Sequence, residues 1–502
     1  MKKIGIQFLI ISFLAITACA QEIQLSKGIS HNIKSNYVGL NGNVGTNNMP
    51  WDNNNLLNGF VKSGARTIRY PAGTIANTWD WDRGWIDPTV PDSLLINWVV
   101  AEGWKNFKIS YPLENFKKAI DASKAEPVYV LNMLSKDLEH SLRGLRRAKA
   151  LGLPVKYVEM GNELYFNLKL EMSRFPTPED YGKTCYEWIK AIKEEFPEVK
   201  CAVVSWEAVR SERHKNWTER VLKYATNADA VIFHVYTPFG LDGAQERTNN
   251  QAGQEGLTTG GNLSNNLKLR QQQELALLHV DSNFYKMMLK ALEVANRHKE
   301  MRVPLDKKIW ATEFNVRADN SAIRGTWANT LFISTFYLAF LKNPQIEITH
   351  LHNIIGPIFG ALYNNDRGFS HLQNEKIVSK PWSLSAGGLA MKTFAQLTQT
   401  GGEATEIIFK NNTLLASTHH QSLEALQGWI VSHPSSSRAI IINFSSQKRK
   451  ITIPDFLYKH HYNMQSAALQ HYVMDTEGLK IITGITNKEL ILEPYSITTF
   501  LK

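Results

Sequence analysis

The chain has 502 residues, 43% of them hydrophobic and 20% charged, with a formal net charge of +10. That is an ordinary composition for a soluble protein, and its length exceeds one barrel, so a large domain plus a smaller one is expected. No Lys/Arg-rich block interleaved with aromatics occurs, which argues against nucleic acid as a partner; for a basic chain that leaves an acidic glycan or simply a solvated basic surface.

Residues 1–18 read as a lipoprotein signal peptide, because Lys2 and Lys3 precede an apolar run too short to span a membrane. The run closes on Ile16-Thr-Ala-Cys19, which resembles a bacterial lipobox and implies acylation of the Cys19 thiol. A plain signal peptide cleaved nearby is the alternative. Removing residues 1–18 takes out two lysines and no acid, so the charge falls from +10 to +8. The expectation is an exported bacterial lipoprotein, anchored at the outer membrane or cell envelope and facing the periplasm or the outside. Cys185 and Cys201 remain, and they read as two buried free thiols with no metal-site spacing.

Residues 19–35 are an N-terminal segment that can add a strand to a C-terminal sheet. From residue 36 onward, short β-rich runs alternate with helix-period segments. The strands are expected at 36–44, 65–70, 127–132, 157–163, 201–206, 229–236, 309–313 and 347–352. Helices are expected at 53–63, 178–195, 284–299 and, closing the set, 383–397. Eight strands alternating with helices predict a parallel α/β sheet closed into a (β/α)8 TIM barrel over 36–398.

Beyond residue 398 the texture changes to short alternating runs separated by Ser, Asn, Gly and Pro, which predicts a small antiparallel β-sandwich over 399–502. No cluster of exposed aromatics stands out there, so a packing role is favoured over carbohydrate binding. A long polar loop at 240–273, rich in Asn, Gln, Gly and Thr, follows the sixth strand. It is either a disordered insertion or a flap over the substrate groove.

Two strand-like runs share one design: Lys156-Tyr-Val-Glu-Met-Gly-Asn-Glu163 and Lys308-Ile-Trp-Ala-Thr-Glu313. Each begins on a basic residue and ends on a Glu. In a (β/α)8 barrel such ends make the active-site face, and two Glu aimed into one pocket suit glycoside hydrolysis. Either Glu alone would read as a surface carboxylate. A spacing of 150 residues cannot say whether configuration is retained or inverted.

The same residues carry a family resemblance. Gly161-Asn162-Glu163 resembles the Asn-Glu signature that closes the fourth strand in retaining glycoside hydrolases of clan A. Glu313 falls where that clan keeps its nucleophile, at the end of the seventh strand. Arg69-Tyr-Pro-Ala-Gly73 resembles the Arg-(X)-Pro-Gly-Gly turn of the α-L-arabinofuranosidase and heparanase-like β-glucuronidase branches. The resemblance implies retention, with Glu163 as acid/base and Glu313 as nucleophile, a carbohydrate substrate and neither cofactor nor metal.

Other strand-end residues are expected to hold the sugar: Arg69, which also pairs with Glu313, then Asn132, Asn162, Trp206, His234, Tyr236 and His352. For each, packing in the barrel core is the alternative. His350 and His352 share a face, but a catalytic zinc takes three protein ligands and no third is implied. The chain departs from the clan at Ala72, in the Pro-Ala-Gly turn, and at His352-Asn353, where many members keep Trp. Arg317 and Arg324, in the loop after the nucleophile strand, point to an acidic or sulfated glycan. The reading from a different class is a catalytically inactive glycan-binding lipoprotein on the same barrel, which would be free to lose one Glu.

Overall fold

A computed structural model describes residues 21–101, 103–237, 275–316, 323–356, 360–363 and 380–502. The signal peptide, Cys19, Arg317 and the 240–273 loop lie outside the described residues. Among the described residues no helix is long and apolar enough to cross a membrane.

Eight parallel strands close a barrel in chain order: Val38–Asn41, Thr67–Tyr70, Glu126–Val130, Tyr157–Met160, Lys200–Val204, Ala230–Thr237, Lys308–Val316 and Ile346–Leu351. All eight were legible as β-rich runs, and every residue of the second, fourth and eighth is buried. Strands covered on both faces need apolar residues at nearly every position, which is why they read as continuous runs. At Gly39 the first and second strands approach so closely that a Cβ would lie 2.1 Å from Thr67 Oγ1.

Boundaries differ where local chemistry intervenes. The fourth strand stops at Met160, three residues short of Glu163, because Gly161 turns the chain at φ 91° and Glu163 follows at φ 47°. The seventh runs three residues past Glu313, to Val316. The helix expected at 284–299 is Asp281–Ala295 followed by a 3₁₀ turn. Pro178–Glu195 occurs as expected, opened by a capping box in which Thr177 and Asp180 satisfy each other's backbone donors.

After the barrel, eight strands from 402 onward and one from the N-terminal segment build a nine-stranded, largely antiparallel sheet. It curls around its own core of Ile407, Ile430, Ile441, Ile451, Leu492 and Phe500. Gln21–Ile33 joins this sheet, pairing antiparallel with Gly402–Phe409. The sheet also braces the barrel. Trp327–Leu341, the helix after the seventh strand, is buried at all fifteen positions, as an all-round apolar helix must be. Its first amides find no side-chain cap. They donate instead to carbonyls of the C-terminal domain, Trp327 N to His471 O (2.7 Å) and Ala328 N to Leu469 O (2.9 Å). The Trp327 indole N–H reaches Tyr495 O at 2.6 Å. Cys185 and Cys201 are buried free thiols.

Candidate active site

Barrel register brings the expected residues together in pairs. Glu313 on the seventh strand is the register partner of His234 on the sixth, with Tyr236 two residues on along the same face. Asn41 on the first strand is the partner of Arg69 on the second. Glu163 arrives from the turn after the fourth strand. One oxygen of each Glu and a ring nitrogen of His234 then lie within 4.8 Å of one another. This trio is also a geometry that could hold a metal ion.

Glu313 is 4% exposed and fully engaged. Its Oε1 accepts from Arg69 Nη1 (2.5 Å) and Asn41 Nδ2 (3.0 Å), and its Oε2 accepts from the Tyr236 hydroxyl (2.5 Å). Burial alone would push the carboxyl up. The imidazoles of His234 and His352, the Arg69 guanidinium and the Tyr236 hydroxyl oppose that push and hold it well below the usual carboxylate range. Arg69 is itself wholly buried and is held by a second acid, Glu159, at 2.8 Å from Nε and 2.7 Å from Nη2. The same guanidinium donates to Asn162 Oδ1 at 2.8 Å.

Glu163 is less enclosed. Its Oε1 accepts from the Tyr165 hydroxyl (2.9 Å) and meets His234 Nδ1 at 3.2 Å. The turn that carries it is fixed by Asn77, whose amide takes both the N–H and the C=O of Asn162, at 2.9 and 2.7 Å. With Oδ1 committed to Arg69, Asn162 Nδ2 is a buried donor without a partner among the described residues.

The other expected residues divide. His352 belongs to the site: its Nδ1 lies 2.9 Å from Asn41 Nδ2 and 3.5 Å from Glu313 Oε2, and its ring packs edge-on against Tyr236. Burial pushes its pKa down. Trp206 stacks on Tyr165, ring centroids 4.1 Å apart, so one face of the indole is already covered. Asn132 engages its amide within the protein, donating to Trp79 O and Ser135 Oγ and accepting from the amides of Leu134 and Ser135. His350 bonds Thr67 within the barrel core (2.8 Å). Arg324 is 6% exposed and lies near enough to Tyr363 to act on its hydroxyl.

Four residues that matter here went unread: Asn41, Asn77, Glu159 and Tyr165. Glu159 had a signal, a lone acid inside an apolar strand two positions from the Gly-Asn-Glu turn. Asn77 had none, because it acts from a 3₁₀ turn, Thr74–Thr78, whose position only the tertiary fold decides.

No family model and no curated protein matches this sequence. Solved structures do match. A family 51 α-L-arabinofuranosidase from Bifidobacterium longum aligns with TM-score 0.65 and 13% identity over 97% of this chain and 99% of that one. An α-L-arabinofuranosidase from Thermotoga maritima aligns at 0.59 and 15%, over 96% and 99%. A family 44 endoglucanase from Clostridium thermocellum aligns at 0.52 and 10%, over 96% and 100%. Identities this low carry the fold alone, and that fold, a (β/α)8 barrel with a β-sandwich, is the one the clan A resemblance implies.

Proposed function

We propose that the chain is a retaining glycoside hydrolase that cleaves an O-glycosidic bond of a polysaccharide or oligosaccharide by double displacement. The observation that carries this reading is the meeting of Glu163 and Glu313, whose oxygens approach within 4.8 Å across His234. Carboxyl groups about 5–5.5 Å apart suit direct attack, whereas about 6.5–9.5 Å leaves room for a water between acid and base. Glu313, kept ionised by Arg69, attacks the anomeric carbon as Glu163 gives its proton to the departing oxygen. The bond to the leaving group breaks as the glycosyl–Glu313 ester forms. Glu163 then takes a proton from the water that displaces Glu313, and the sugar leaves with its original configuration.

The test is a panel of activated aryl glycosides with proton NMR of the first-formed product. Hydrolysis with retained anomeric configuration is expected. An inverted product, or a panel left wholly untouched, would overturn the reading.

Within it, an acidic or sulfated glycan is proposed from the positive charge of the chain and from Arg317. Arg317→Ala is expected to raise KM more than it lowers kcat, by an amount that shrinks as salt rises. A KM indifferent to salt and to the substitution would decide for a neutral substrate.

Export and anchoring through Cys19 are proposed on the sequence of the first nineteen residues. Cys19→Ala should release a soluble, active protein, and continued membrane partitioning would overturn the lipobox reading.

A further inference from the structure

Resting on the hydrolase reading above, we propose that Arg213 is a positioning residue for the acid/base Glu163, acting through the segment that follows it. Arg213 lies in the loop after the fifth strand. Its Nη1 donates to the carbonyls of Tyr165 (2.6 Å) and Phe166 (3.1 Å), and its Nη2 to those of Leu164 (2.7 Å) and Phe175 (2.9 Å). One guanidinium thus gathers four main-chain carbonyls from both ends of the 164–175 segment. Only a planar fork of donors has that reach; an ammonium is a single point.

The clamp has a rigid footing. The guanidinium carbon lies 4.8 Å from the centre of the Trp217 ring, and the Trp217 N–H donates to Val204 O of the fifth barrel strand at 3.0 Å. Beside it, His214 Nε2 lies 2.7 Å from the same Tyr165 carbonyl. Tyr165 is therefore held on its backbone by two residues and on its ring by Trp206.

The consequence falls on Glu163. Its left-handed backbone, φ 47°, costs energy for a residue with a Cβ and persists only where surrounding contacts enforce it. Tyr165 and His234 both meet Oε1, so Oε2 is the oxygen left to carry the proton to the leaving group. Arg213 holds Tyr165 where its hydroxyl can keep that division.

The test uses an aryl glycoside that the full chain hydrolyses, in its 2,4-dinitrophenyl and unsubstituted phenyl forms. kcat/KM reports the first displacement, in which only the poorer leaving group needs the acid. Arg213→Ala is expected to lower kcat/KM at least about tenfold on the phenyl form and no more than about twofold on the dinitrophenyl form, within the span of general acid catalysis. Tyr165→Phe, which keeps the ring stack but removes the hydroxyl that Arg213 positions, is expected to show the same leaving-group-dependent loss. Should Arg213→Ala fail to fold, Arg213→Lys keeps the charge without the four-way fork and is expected to show the same leaving-group-dependent loss. A loss equal on both substrates, or none, would overturn the positioning role. A wild-type chain that hydrolyses no glycoside would overturn the hydrolase reading instead.

Discussion

The hydroxyl of Tyr236 sits 2.5 Å from Oε2 of Glu313, on the opposite oxygen from the one that Arg69 and Asn41 occupy. A donor on each oxygen stabilises the ionised carboxylate, the form in which the proposed double displacement needs it. Tyr236→Phe removes one donor to the charged form, so the Glu313 pKa should rise. The acid limb of kcat/KM, which requires Glu313 ionised, should then move to higher pH. An unmoved limb would show that this hydrogen bond does not tune the nucleophile.

The two Glu should fail differently. Glu313→Ala is expected to abolish turnover of every substrate. Glu163→Ala should lose about 10²–10⁴-fold on poor leaving groups yet keep much of its first step on activated ones, since only proton transfer is missing. Azide should rescue Glu163→Ala with a product of retained configuration. Full activity in either variant would reverse the assignment.

Gly73 approaches the nucleophile more closely than any side chain would allow. A Cβ there would lie 2.6 Å from Glu313 Oε1. Gly73→Ala should therefore displace Glu313 or Arg69. We expect kcat/KM to fall about 100-fold, the scale of a displacement of about 1 Å. A fully active Gly73→Ala enzyme would mean that Glu313 has room to move.

The opposite end of the barrel carries a second depressed carboxylate. Glu347 is buried, its Oε1 accepting from Lys34 (2.6 Å) and Lys200 (2.7 Å) and its Oε2 from the Trp310 N–H (3.1 Å). Burial raises its pKa, but the two lysines outweigh that and the net shift is downward. A depressed carboxylate contributes stability above its unfolded pKa of about 4.3 and loses it as pH falls through the folded value. Glu347→Gln should cost about 1–3 kcal/mol at pH 7 and progressively less in acid. Denaturant midpoints at pH 7 and pH 3 measure the difference, and a pH-independent cost would refute the linkage.

Truncation after residue 398 should leave a barrel that does not fold alone. It strips the carbonyls that cap Trp327–Leu341, the partner of the Trp327 indole, and the strand that Gln21–Ile33 pairs with. A fifteen-residue apolar helix would then face water on one side. Cooperative thermal unfolding of residues 36–398, followed by circular dichroism, would contradict this.

The sequence by itself determined the number of barrel strands, their order, the change of texture near residue 399 and the two Glu that end their β-rich runs. These are periodic or local signals: a buried parallel strand must be apolar throughout, and a Gly-Asn-Glu turn is visible in three letters. The tertiary structure alone decided which side chains meet. Asn77 reaches Asn162 across 85 residues of chain, and Arg213 reaches four carbonyls 38–49 residues away. It tied the Asn132 amide into bonds within the protein and brought Asn41 and Glu159 beside Arg69 and Glu313. Contacts of this kind depend on how adjacent strands are staggered around a closed barrel. One residue of stagger turns a side chain from the lumen to the helices, and no pattern within a single strand encodes its neighbour's register.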